Sequence, residues 1–176
     1  ASNEKRAFIR EVPGGCMCCA AGLPMQIALN QLLAESKPNR LLIEPTGLGH
    51  PIEVLQTLAA EHYQDVLDIQ KTVTLVDARK LADPRYTSHD TFNQQIAIAD
   101  VIVGNKQDLY THSDAEALET YVVQRTKPNT PVLLCEKGEF PISVLKGSSS
   151  ALTHIKAQKF HDHKTTTTPS INEQPF

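Results

Sequence analysis

The chain has 176 residues, 40% hydrophobic and 21% charged, enough for one sizeable core and too few for a second full domain. Its 17 basic and 20 acidic residues are interspersed and leave a formal net charge of -3, which excludes the basic stripe that nucleic-acid binding requires. No apolar stretch reaches the roughly 20 residues of a membrane span, and the opening residues do not read as a leader, so a soluble, cytoplasmic protein is expected.

Residues 7–12 read as a first strand, in which Arg10 and Glu11 indicate an edge or solvated position. Next comes Gly14-Gly15-Cys16-Met17-Cys18-Cys19. Such crowding of cysteines suits a metal or redox site better than a disulfide framework. The glycines permit a tight turn, and the amides of a following helix favour thiolate over thiol. Thiolates so close suit a borderline cation such as Zn²⁺, which takes four ligands at about 2.3 Å from sulfur. The fourth comes from elsewhere or stays open, as metal delivery requires. A redox switch, or a plain turn of small buried residues, is the alternative.

Met25, Ala28, Leu29, Leu32 and Leu33 recur at helical spacing and predict an amphipathic helix that Pro38 and Asn39 end. Leu41-Leu42-Ile43 predicts a buried strand ending in Glu44, followed by Pro45-Thr46-Gly47-Leu48-Gly49-His50-Pro51. A carboxylate there can hold Mg²⁺ through water, and Gly47 lets its backbone amide approach a terminal phosphate, as in the sensing corner of a nucleotide switch. A strand ending in Glu before a glycine-rich turn is also common in α/β proteins.

Residues 72–76, 101–103 and 132–134 read as further buried strands, and their alternation with helical periods predicts a parallel sheet with crossover helices. Asn105-Lys106-Gln107-Asp108 follows the second of these, at the carboxyl edge where such sheets bind ligands. The Asp108 carboxylate can accept from the N1 and N2 donors of guanine, a pair that adenine lacks. Asn105 supplies an amide to the base's acceptor side or braces the loop, and the stem of Lys106 covers the base plane. The same residues are ordinary turn formers. Ser113 and Glu116 predict a capping box ahead of Ala117, Leu118, Tyr121 and Val122. Cys135 continues the last strand into the core. Beyond Gly147, a short helix over residues 149–158 precedes a linker-like tail with four threonines, in which His161 and His163 are either solvated or metal ligands.

The cysteine segment, the Glu44 turn, Val76-Asp77-Ala78, and Gln95-Ile96-Ala97 through Ala99-Asp100 to Asn105-Lys106-Gln107-Asp108-Leu109 together resemble the CobW-like P-loop GTPases. These are relatives of the nickel-handling accessory GTPases of hydrogenase and urease, and the match runs from about residue 11 to residue 145. The resemblance implies an α/β fold of the P-loop NTPase type, with a mostly parallel sheet and helices on both faces. It implies that Asn105 and Asp108 read guanine, that Glu44 belongs to the Mg²⁺ and phosphate switch, and that Cys16, Cys18 and Cys19 bind the transferred metal. The implied ligands are GTP, Mg²⁺ and Zn²⁺ or Co²⁺, the implied partner is a recipient metalloprotein, and cobalamin biosynthesis is one setting it suggests.

No G-x-x-x-x-G-K-[ST] loop occurs in the 176 residues. The resemblance therefore implies a fold incomplete at its amino terminus, with a partial GTPase domain over residues 1–147 and a terminal helix and linker over 148–176. Without the amide cradle and lysine of that loop, the chain alone is expected to bind GTP poorly and hydrolyse it hardly at all. A non-catalytic metal-binding or regulatory module, or an adaptor using only the scaffold, is the alternative.

Overall fold

A computed structural model describes residues 7–12, 23–45, 47 and 49–152. Its helices are α1 (Leu23–Ser36), α2 (Pro51–Leu58), α3 (Pro84–Thr87), α4 (Asp90–Ala97) and α5 (His112–Arg125). Three short strands, β1 (Val73–Val76), β2 (Val101–Gly104) and β3 (Val132–Leu134), form a parallel sheet in the order β1-β2-β3. Val76 lies opposite Gly104, and Gly104 opposite Leu134, so the carboxyl ends of all three strands are level. Parallel neighbours need crossovers, which α3 and α4 supply between β1 and β2 and α5 supplies between β2 and β3.

The central run becomes a strand covered on both faces, whereas in the edge strand β1 Leu75 stays 61% exposed. On one face, Val76 and Ile102 pack with Ile96 of α4 and with Leu118 and Val122 of α5. On the other, Val101, Val103 and Cys135 pack with Phe140 and Val144. Burying side chains such as Ile96, Ile102 and Leu118 completely contributes about 1.5–3 kcal/mol each. The expected core position of Cys135 is borne out. A second cluster joins Met25 and Leu29 of α1 to Val54 and Leu58 of α2, and Leu55 of α2 meets Ile98 and Ala151 beside the sheet.

Three local expectations change. Leu41-Leu42-Ile43 makes no ladder hydrogen bonds; Leu41 and Ile43 pack on the α1–α2 cluster while Leu42 faces outward, 72% exposed. A short continuous apolar run does not say what covers it, and helices bury such side chains as well as neighbouring strands do. Glu44 therefore ends an unpaired segment. Residues 7–12 are likewise no strand, and Arg10 instead reaches Glu35 of α1 at 2.7 Å. The cap of α5 lies two residues earlier than Ser113, where the Asp114 carboxylate accepts from the Thr111 amide at 2.7 Å and the Thr111 hydroxyl at 2.6 Å.

At the amino edge of the sheet, the Asp100 amide donates to the Thr72 carbonyl at 2.8 Å. The Asp100 carboxylate accepts from the Thr72 amide at 2.9 Å, the Ser149 hydroxyl at 2.8 Å, the Ser150 amide at 3.0 Å and the Ser150 hydroxyl, with Lys127 Nζ at 3.2 Å. Burial opposes its ionisation, but the donors of Ser150, Thr72 and Ser149 outweigh that and hold its carboxyl below the usual range. This knot docks residues 148–152 on the body. Of the helix expected over 149–158, residues 149 and 150 are not helical, 151 and 152 are, and 153–158 lie outside the described residues. Among the described residues, no helix is long and apolar enough to cross a membrane.

Candidate functional site

The carboxyl ends of the strands bring Asp77, Asn105 and the turn after Cys135 to one rim. Asn105 follows β2 directly, and its amide donates to the Val76 carbonyl of β1 at 2.9 Å. On the β3 side, the Cys135 amide donates to Gly104 at 3.0 Å, and the Gln107 amide donates to Cys135 at 3.0 Å. The Asn105 side-chain oxygen accepts from the Gly138 amide at 3.1 Å and from the Cys135 thiol at 3.5 Å. Asn105 thus braces the rim through Oδ1 and keeps its Nδ2 donor for another acceptor.

Tyr110 joins the same strand ends from below. Its hydroxyl accepts from the Ala78 amide at 2.9 Å and donates to the Asn105 carbonyl at 2.6 Å, with the Val76 carbonyl at 3.2 Å. A larger residue at Gly104 would force its neighbours to shift, because a Cβ would lie 2.7 Å from methyl groups of both Leu118 and Leu134.

Lys106 holds a left-handed backbone, φ 65, and its Nζ lies 3.3 Å from the Asp77 carboxylate. Asp77 also takes a two-pronged contact from Arg79, at 2.9 and 2.7 Å. The Arg79 guanidinium chiefly, with Lys106 adding and burial opposing, pulls the Asp77 carboxyl down to about 2. An anionic Asp77 therefore anchors the ammonium beside the loop that holds Asn105 and Asp108. The Asp108 side chain is exposed on that loop.

A second corner is built at the turn over residues 44–50. Glu44 and Gly47 are exposed, and a Cβ at Gly47 would meet nothing within 4 Å. The turn is tied to α4 by Gln95, whose Nε2 donates to the Gly47 carbonyl at 3.1 Å and to the Gly49 carbonyl at 3.3 Å. Among the described residues, no hydrogen bond links this corner directly to the loop at 105–108.

The profile of the family described as CobW/HypB/UreG, nucleotide-binding domain, matches residues 1–133. The chain belongs to this family. It is 40% identical over 161 residues to the zinc chaperone YeiR of Escherichia coli (strain K12), covering 92% of this chain and 49% of that protein. The zinc chaperone CobW of Pseudomonas aeruginosa is 24% identical over 189 residues, 92% of this chain and 50% of that protein. The zinc-regulated GTPase metalloprotein activator 1 of Dictyostelium discoideum is 21% identical over 166 residues, 81% of this chain and 35% of that protein. The chain thus spans about half the length, or less, of these relatives. No solved structure matches it.

Within this CobW/HypB/UreG domain, Asn105 and Lys106 share a rim with Asp77, while Glu44 and Gly47 form the separate corner held by Gln95. Cys16, Cys18 and Cys19, with His161 and His163, lie outside the described residues. Among the described residues, no group of three or more His, Cys, Asp or Glu side chains is placed to hold a metal ion. Sequence reasoning gave no role to Asp77, Tyr110 or Gln95. Asp77 had a visible signal, since it follows β1 as Asn105 follows β2.

Proposed function

We propose that this chain is the guanine-reading part of a GTP-dependent metal chaperone. Asn105 and Asp108 read the base and Lys106 lies over it. Glu44 and Gly47 form the phosphate and Mg²⁺ corner, and Cys16, Cys18 and Cys19 carry Zn²⁺ or Co²⁺ for a recipient metalloprotein. The observation that carries the reading is the rim itself: a base-reading Asn, Lys and Asp follow a central parallel strand, with the ammonium anchored by Asp77 at 3.3 Å. A base seated there would leave the Asp108 carboxylate unpaired unless it offered guanine's paired donors, which selects against adenine.

The donor set fits Mg²⁺, since Glu44 supplies an exposed hard oxygen able to hold the ion through water, and the open space at Gly47 admits a phosphate to the backbone. When bound, the ion would neutralise phosphate charge. The chain's residues would orient the nucleotide. The relatives' names, zinc chaperone and zinc-regulated GTPase, support zinc as cargo. The chain divides into a partial GTPase domain over residues 1–147 and a terminal helix and linker over 148–176, and it acts in the cytoplasm.

Because no G-x-x-x-x-G-K-[ST] segment occurs in these residues, turnover by this chain alone should be negligible. The same fact favours, as a second reading, a metal-binding or regulatory module without catalysis. Two measurements on the full-length protein test the proposal: competitive binding of GTP against ATP, and zinc titration against a chelator of known affinity. Preference for GTP, lost in Asp108→Ala, together with thiolate-bound zinc, is expected. Equal binding of the two nucleotides would overturn guanine reading, and zinc binding without any nucleotide binding would favour the second reading.

A further inference from the structure

We infer that Gln95 is a positioning residue that clamps the phosphate-sensing turn at residues 44–50 against the sheet. The inference rests on the proposed role of that turn. One amide group donates to two carbonyls of the turn, Gly47 at 3.1 Å and Gly49 at 3.3 Å, across more than forty residues of chain. The base of the clamp is fixed, because the Gln95 backbone carbonyl accepts from the Thr74 hydroxyl of β1 at 2.7 Å, and Ile96 beside it is 0% exposed in the core. Among the described residues, the Gly47 and Gly49 carbonyls take no other hydrogen bond. Gly47 is exposed, and a Cβ on it would touch nothing, so neither sterics nor packing at Gly47 sets its place. The Gln95 amide does so in their stead.

The chemistry of the contact is specific. Both partners are acceptors, so the residue at position 95 must present two hydrogens from one atom, which a primary amide does and a carboxylate does not. Glutamate is nearly the same shape, but when ionised it would face two carbonyl oxygens with no hydrogen to give. When protonated it regains one donor.

If the clamp sets the turn where a terminal phosphate meets it, losing the clamp should weaken GTP and spare GDP, which lacks that phosphate. In the full-length protein, Gln95→Leu is expected to lower GTP affinity about five- to tenfold, as for the loss of one or two net hydrogen bonds, while GDP affinity stays within about twofold. Gln95→Glu should show the same loss at pH 8 and recover part of it at pH 5. Without nucleotide, hydrogen exchange in peptides covering residues 47–50 should accelerate in Gln95→Leu, while peptides from β2 keep their protection.

Equal losses for GTP and GDP, or unchanged exchange in the turn, would overturn the clamp. Glu44→Gln separates this inference from the reading beneath it. If that variant abolishes the preference for GTP over GDP and Gln95→Leu does not, the clamp alone fails. If wild-type protein does not distinguish GTP from GDP, the sensing role of the turn fails, and the exchange measurement alone still decides the clamp.

Discussion

Tyr110 sits half-buried with its hydroxyl between two strand ends, where desolvation pushes its ionisation above the ordinary phenol value. Tyr110→Phe keeps the ring packed against the core but leaves the amide of buried Ala78 without its acceptor. That should cost about 1–3 kcal/mol, read as a lower urea midpoint at unchanged slope. A midpoint equal to wild type would mean the hydroxyl bridge is not made in solution. Asp77 provides a prediction with a pH signature. Its folded value of about 2 lies below the ordinary 3.8, so the stability it adds is complete above the ordinary value and disappears as pH falls through about 2. Because its partners are partly solvated, about 1 kcal/mol is expected. Asp77→Asn should therefore be less stable than wild type at pH 7, with the gap closing as pH falls through about 2, in urea titrations at each pH. A constant gap between the two proteins across that range would contradict the ion-pair account.

Between β2 and the elements packed on it there is no spare room at Gly104. Gly104→Ala would press a methyl against Leu118 of α5, which is 0% exposed, and Leu134 of β3, and should cost about 1–3 kcal/mol. Thermal unfolding of the variant at the wild-type temperature would disprove that fit. The elements readable in the sequence were those whose own residues decide them. Residues 73–76, 101–104 and 132–134 are dense in β-branched and aliphatic residues, and α1 shows its stripe in Met25, Leu29 and Leu33. Residues 41–43 carry the same apolar signal, but Leu41 and Ile43 obtain their burial from helices and Leu42 faces outward, so the run gave neither the partner nor the exposed position. The start of α5 was read in the frame of Ser113 with Glu116, while the structure uses the frame of Thr111 with Asp114. The earlier frame prevails beside Tyr110, whose hydroxyl is held at the strand ends. Within the candidate site, Asn105, Lys106 and Asp108 were legible because they are contiguous. Tyr110 and Gln95 were not, since their roles arise from contacts made only once the sheet is assembled.

At the scale of the whole molecule, Asp100 is what holds the last described segment to the sheet. Its side chain is 6% exposed, and Asp100→Ala would leave Lys127 without its carboxylate and the Thr72 and Ser150 amides without their acceptor. The expected loss is about 3–5 kcal/mol, with residues 148–152 becoming the first target of limited proteolysis. Resistance of that segment equal to wild type would show that packing of Ala151 alone secures it. The knot also fixes which end of the sheet carries residues 148–152. Ser149 and Ser150 are held beside Asp100, at the edge where the strands begin, whereas Asn105 and Lys106 lie where they finish, roughly 13 Å further along at about 3.3 Å per residue.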